Sequence, residues 1–189
     1  MRRFVSQPRS YTCYPTAVYN ACIYAGVEPP SLKDLIEIAG CHHLGFWHNA
    51  WFMDRCRALA GLRLRRAPLK TVLAHAGLIS FWHPQGGRHE VFTFNVGDPD
   101  RVALVNAKLC PRVVCLMTHE LVEFLCRVAN ERPRGSGDAS DYFLLLDRPQ
   151  PAAPSGAVTL SAATETTARY AAERHQRSAA NVLKRMRLQ

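Results

Sequence analysis

The sequence lacks the features typical of membrane proteins and of disulfide-rich secreted proteins. No apolar run approaches the roughly 20 residues needed to span a bilayer, so we expect no membrane span. The polar stretch 6–12 follows residues 1–3 directly, without the apolar core of a signal peptide, and we expect a cytoplasmic protein. The seven cysteines form an odd count with no C-x-x-C pair, which favours buried or reactive thiols in a reducing compartment over a disulfide framework.

What the sequence does contain is enough apolar material for one folded domain. Hydrophobic residues make up 48% and charged residues 21% of the 189 residues, which excludes wholesale disorder. The net charge is +9, and it is unevenly placed. Segment 162–189 has six Lys or Arg against two Glu, and therefore supplies +4 of that charge.

The hydrophobic period changes from helical in the first third of the chain to alternating in the middle. Helices followed by strands are typical of an α+β domain, which we place at residues 1–149. Residues 150–161, which begin QPAAPSG, have the composition of a flexible linker, and 162–189 is predicted as a basic C-terminal helix or tail. The patterns predict helices at 13–26, 31–39 (with Ser31 as its cap), 49–60 and 118–128, and strands at 76–83, 89–96, 102–106 and 142–146.

Four polar residues in this layout carry the side chains needed for acyl transfer. Cys13 begins the first predicted helix, where backbone N–H groups favour a thiolate, so we expect its pKa to lie below the roughly 8.5 of a free thiol. Gln7 precedes it by six residues, close enough to donate to an oxyanion. His89 opens a strand, and Asn106 ends the next strand 17 residues later, where it can orient the His89 ring.

These residues lie within a longer pattern that resembles the papain-like cysteine peptidases, and among them the bacteriocin-processing, double-glycine leader peptidases. Residues 7–17 (QPRSYTCYPTA) are similar to the family's opening of a glutamine, five residues, a cysteine and Gly-Pro-Thr-Ala, although Tyr14 replaces the glycine. Asn106 falls where that family has an aspartate. The other similar segments, in the family's order, are 31–39, 49–64, 87–91 (GRHEV) and 117–125 (MTHELVEFL).

The resemblance implies a papain-like α+β fold, with N-terminal helices packed on an antiparallel sheet. It also implies a cysteine peptidase that forms a thioester on Cys13, with His89 as base and acid, Asn106 as its orienting residue and Gln7 as oxyanion donor. A transamidase or a deamidase would use the same residues. The alternative from another class is a non-catalytic protein-binding module that keeps the fold.

The expected partners follow from the same assignments. A peptide or protein is the expected substrate, and an acidic partner is possible for segment 162–189. We do not expect nucleic acid as a partner, because no nucleic-acid-binding motif is present. The set Cys41, His42, His43, His48 and Cys56 has thiol and imidazole ligands, but its spacing fits no zinc motif, so we expect no metal and no cofactor.

Overall fold

The computed structural model describes residues 3–40, 50–83, 88–110, 112–130, 142–146 and 158–186, and within them it contains six helices and seven strands. The helices are α1 Cys13–Ala25, α2 Leu32–Ile38, α3 Ala50–Ala60, α4 Leu69–Ala74, α5 His119–Asn130 and α6 Ala162–Met186. The strands are β1 Leu64–Arg66, β2 Ala76–Trp82, β3 Arg88–Asn95, β4 Arg101–Val105, β5 Val114–Thr118, β6 Phe143–Leu145 and β7 Val158–Thr159.

All seven strands belong to one sheet, in the order β1-β6-β2-β3-β4-β5-β7. Neighbouring strands run antiparallel, except that β7 pairs with β5 in parallel. With α1 to α3 preceding this sheet in the chain, the structure confirms the predicted α+β class with N-terminal helices and an antiparallel sheet.

Helices cover both faces of the sheet, so its central strands are buried on both sides. One face, which we call the α1 face, packs Phe92 and Phe94 of β3 against α1. On the other, the α5 face, Val91 of β3 lies in one buried cluster with Leu121 and Leu125 of α5. Successive residues of a strand point to opposite faces, so a residue's position in β3 decides which helix it meets.

Local sequence explains the ends of the first two helices. Gly26 ends α1 with φ of 69°, a left-handed conformation that glycine adopts without steric cost. Ser31 caps α2 by accepting a hydrogen bond from the Asp34 N–H at 3.1 Å, as predicted. These ends set the direction in which α1 crosses the sheet.

Several elements were not predicted from the sequence, and each has a physical reason. β1 and β7 have only three and two residues, too few to show an alternating pattern. The six-residue α4 is likewise shorter than two turns. β5 (VCLMT) is apolar on both faces and shows no clean period.

The cysteine interpretation is wrong for two residues. Cys110 and Cys115 form a disulfide across the connection between β4 and β5. The other cysteines in the described ranges, namely Cys13, Cys22, Cys56 and Cys126, are free and buried. Cys41 lies outside those ranges, as do His42, His43 and His48 of the zinc interpretation.

The start of the C-terminal segment packs on the domain, and the division into a linker and a basic helix or tail stays a prediction. Residues 158 and 159, inside the predicted linker, form β7, and residues 147–157 lie outside the described ranges. On α6, Ala172 is buried in the α5 face, and the Glu165 carboxylate accepts hydrogen bonds from the Thr118 N–H at 3.2 Å and hydroxyl at 3.0 Å. α6 is 25 residues long, yet no helix in the described part of the chain combines length and apolar character well enough to cross a bilayer.

Candidate functional site

Cys13 is the first residue of α1, at the end of an ordered approach segment. The Arg9 carbonyl accepts hydrogen bonds from both the N–H and the hydroxyl of Thr12, at 3.2 and 2.9 Å. Thr12 in turn precedes Cys13 and accepts the Thr16 N–H at 3.2 Å through its own carbonyl. The chain therefore enters the helix through a fixed turn, which holds the Cys13 side chain against the sheet.

The environment of the Cys13 sulfur favours the neutral thiol. The residue is only 7% exposed, and this burial raises the pKa of the thiol to about 11. The Glu90 side chain also raises this pKa, because a negative charge nearby disfavours a thiolate. Backbone hydrogen bonds at Glu90, Tyr14 and Cys13 lower it, as a helix start should, but burial outweighs them. The expectation of a depressed Cys13 pKa is therefore wrong.

Glu90, and not His89, lies on the α1 face of β3. Phe92 and Phe94 pack on that face, and Glu90 precedes Phe92 by two residues. The pairing between β3 and β4 ends at Phe92 and Val105, so the backbone of Glu90 is not paired with β4. This backbone forms a hydrogen bond with the Cys13 sulfur instead. Glu90 is 4% exposed, and its cross-strand partner is Ser80 of β2.

His89 points to the α5 face. Its ring packs edge-on against Phe81, its cross-strand neighbour, with the ring centroids 5.5 Å apart, and against His83 at 5.7 Å. The His89 Nε2–H donates to the backbone oxygen of Asn106 at 2.7 Å. Burial lowers the pKa of this imidazole to about 4, although the bond to Asn106 opposes the change. The groups that act on His89 are Asn106, His83 and Lys108, and none of them acts on Cys13.

Gln7 and Asn106 form a reciprocal pair of amides beside the approach segment. The Asn106 Nδ2 donates to Gln7 Oε1 at 2.8 Å, and the Gln7 backbone N–H donates to Asn106 Oδ1 at 3.1 Å. The Gln7 Nε2 donates to the Arg9 carbonyl at 2.7 Å. Asn106 has φ of 64°, a left-handed conformation that turns its side chain toward Gln7 and its carbonyl toward His89.

The structure thus brings together some of the four residues selected from the sequence. Gln7 and Asn106 are in direct contact. Hydrogen bonds through Arg9 and Thr12 connect them to the start of α1. His89 contacts Asn106 through the backbone and not through the side chain. His89 and Cys13 are directed to opposite faces of the sheet.

Sequence reasoning missed Glu90 and His83. Both faces of β3 are buried after residue 90, with Val91 on one and Phe92 on the other, so the pattern gave no sign of which face His89 takes. The aromatic pair Phe92 and Phe94 was the available signal, because two rings on one face match a helix rich in small residues such as α1. His83 lay in a predicted strand, and nothing in its neighbours indicated a partner.

Comparison with known proteins identifies the fold. No protein-family model and no curated protein matches the sequence. Among solved structures, the chain is similar to the peptidase domain of Streptococcus ComA, a bi-functional ABC transporter involved in a quorum-sensing pathway. The TM-score is 0.57 at 12% sequence identity, over 76% of this chain and 97% of that domain. The fold is that of a papain-like peptidase domain.

Proposed function

We propose that this papain-like chain is a peptide-binding domain that holds an extended peptide or protein segment at Cys13 without cleaving it. The observation that carries the proposal is the orientation of β3, which directs Glu90 to the Cys13 face and His89 to the other. A papain-like hydrolase needs a thiolate and an imidazole that returns the proton to the leaving amine. Neither requirement is supported at Cys13.

The protonation states of Cys13 and His89 also argue against catalysis at Cys13. Burial raises the pKa of the Cys13 thiol to about 11, which favours the neutral thiol at neutral pH. An imidazole with a pKa of about 4 is neutral there, so no thiolate–imidazolium pair forms. The Glu90 side chain near the sulfur opposes formation of the thiolate further.

Peptide binding is supported by the fold and by the polar groups around the start of α1. The solved structure that resembles this chain is described as a peptidase domain, and we infer from this likeness of fold that a peptide is the ligand. Ser80 is 3% exposed, and its hydroxyl has no hydrogen-bond partner among the described residues. A buried hydroxyl in that state favours a ligand that supplies a backbone amide.

The second candidate function is the cysteine peptidase, with Cys13 as nucleophile, His89 as base, Asn106 as orienting residue and Gln7 as oxyanion donor. The contact between Gln7 and Asn106 beside the start of α1 favours it. Hydrolysis through a thioester, or the related transamidation or deamidation, would then need His89 on the Cys13 face. A shift of the β3 register by one residue would move His89 to the Cys13 face, because such a shift exchanges the two faces of a strand.

Fluorescein-labelled casein peptides test both candidates with one reagent. Mass spectrometry measures their hydrolysis and fluorescence anisotropy their binding, using the full chain, Cys13→Ala and, as a matched surface control, Glu37→Gln on α2. We expect binding by the full chain and the control, with no more hydrolysis than Cys13→Ala shows. Cleavage that disappears in Cys13→Ala would establish the peptidase instead, and an absence of binding would reject the peptide-binding proposal.

The acidic partner expected for segment 162–189 also remains a prediction. In the described part of α6, Arg169 already pairs with Glu120 at 3.1 Å, and its guanidinium lies over the Phe124 ring. This arginine is therefore engaged within the domain. Any acidic partner would have to be recruited by the basic residues further along the segment.

A further inference from the structure

The connection between β4 and β5 is held by two histidines on the α5 face. We call residues 106–110, which the structure describes in full, the Asn106 loop. Asn106 and Lys108 both have left-handed backbones, with φ of 64° and 59°. Their carbonyls accept hydrogen bonds from ring nitrogens, Asn106 from His89 at 2.7 Å and Lys108 from His83 at 3.4 Å. A left-handed backbone is unfavourable for lysine, although asparagine tolerates it, so these contacts help to hold the loop.

A disulfide between Cys110 and Cys115 joins the end of the same loop to β5. Cys110 lies in the loop and is partly exposed, whereas Cys115 is fully buried in β5. The bond therefore ties the Asn106 loop to the sheet, and its partly exposed end at Cys110 is the end that a thiol in solution would attack. Loss of this bond would leave the loop held only by hydrogen bonds.

The loop is linked to Cys13 by a continuous series of hydrogen bonds. The Asn106 side chain holds Gln7 through two bonds, at 2.8 and 3.1 Å. The Gln7 side chain donates to the Arg9 carbonyl, which also accepts the N–H of Thr12, the residue before Cys13. A change in the loop can thereby be transmitted to the segment that leads into Cys13.

We propose that Cys110 and Cys115 are a redox-active pair whose disulfide holds the Asn106 loop closed and restricts access to Cys13. Reduction would release the loop, weaken its contact with Gln7 and increase the exposure of the Cys13 thiol. This rests on the proposed function only in taking the surroundings of Cys13 as the place where the peptide binds. The effect on access to Cys13 is independent of what binds there.

The chemistry is a thiol–disulfide exchange with a small disulfide such as oxidised glutathione. The Cys110 thiolate attacks one glutathione sulfur, forms a mixed disulfide and expels one glutathione thiolate. Cys115, after losing its proton, attacks the Cys110 sulfur and expels the second. The protein pair loses two electrons and two protons, and the glutathione disulfide gains both. Excess reduced glutathione drives the same steps backward.

Alkylation by iodoacetamide, read by peptide mass spectrometry, tests the proposal without any ligand. The full chain is labelled at one alkaline pH after oxidation by glutathione disulfide, and again after reduction and removal of the reductant. Cys22, fully buried in the same helix, reports opening of the whole domain. We expect reduction to raise the Cys13 rate about tenfold relative to the Cys22 rate, because a local opening exposes one site and not the other.

Two variants locate the effect in the loop. Cys110→Ser combined with Cys115→Ser should give the faster Cys13 rate under oxidising and reducing conditions alike. Asn106→Gly keeps the left-handed backbone but removes the amide that holds Gln7, and it should also label fast in both redox states. Equal Cys13 rates before and after reduction would overturn the proposal, as would a parallel increase at Cys22. Failure of casein-peptide binding alone would reject the function and leave this mechanism standing.

Discussion

The His89 imidazole and the Asn106 backbone lie 2.7 Å apart, with the ring nitrogen donating to the carbonyl. The same asparagine uses its side chain to hold Gln7 near the start of α1. Asn106 thus connects the two faces of the sheet, its carbonyl on the α5 face and its amide at the approach segment. In a papain-like triad the asparagine orients the imidazole; in this chain the imidazole positions the asparagine.

Replacing His89 by phenylalanine should destabilise the domain, because a buried carbonyl loses its donor. We expect the free energy of unfolding, measured by urea denaturation, to fall by about 1–3 kcal/mol. His75→Phe is the control, since His75 is exposed at the end of α4. If the two variants were equally stable, the contact between His89 and Asn106 would contribute nothing to the fold.

Stability should also fall in mild acid. Burial lowers the pKa of His89 from 6.5 to about 4, so between these values the unfolded chain binds a proton that the folded chain does not. The free energy of unfolding should then decrease as pH falls from about 6.5 toward 4, by an amount on the order of 2 kcal/mol. His89→Phe should make the free energy of unfolding depend less steeply on pH. The pH dependence that remains should come from His83, because burial also lowers the pKa of that residue. A slope unchanged by the substitution would assign the acid sensitivity elsewhere.

The sequence allowed prediction of the fold class, the ends of α1, the Ser31 cap and the central strands, because these depend on local patterns. It did not allow prediction of the face of β3 on which His89 lies, since Val91 and Phe92 are both buried and both apolar. That choice is made by packing against α1, which is a tertiary property. A difference of one residue therefore separates His89, which was expected beside Cys13, from Glu90, which acts on the Cys13 thiol.

Docking of α6 should depend on Glu165. Its two carboxylate oxygens accept hydrogen bonds from the backbone and hydroxyl of Thr118, at the junction of β5 and α5. Glu165→Ala should lower the free energy of unfolding by about 1–2 kcal/mol, because the Thr118 groups lose a charged acceptor. Glu173→Ala, further along the same helix, is the matched control, and limited proteolysis should cut α6 faster only in the Glu165 variant. Equal cleavage of both variants would mean that this contact does not hold α6.

Substitution of Glu90 should change the reactivity of Cys13 in two separable steps. Glu90→Gln keeps the size of the side chain and removes the charge that raises the Cys13 pKa, so alkylation of Cys13 near pH 8 should become faster, with Glu37→Gln as the surface control.

Glu90→His goes further, because it places an imidazole on the face of β3 that meets the sulfur. A histidine there can accept the thiol proton, and we expect the Cys13 alkylation rate at neutral pH to rise at least about tenfold over that of Glu90→Gln. The pH dependence of Cys13 alkylation should also shift toward neutral pH, and the shift should be larger than the one that Glu90→Gln produces by removing the charge. The same rate in Glu90→His, Glu90→Gln and the unmodified chain would show that residue 90 does not face Cys13. An added imidazole that speeds labelling would instead support the proposal that the side chain at residue 90 determines whether Cys13 has a base beside it.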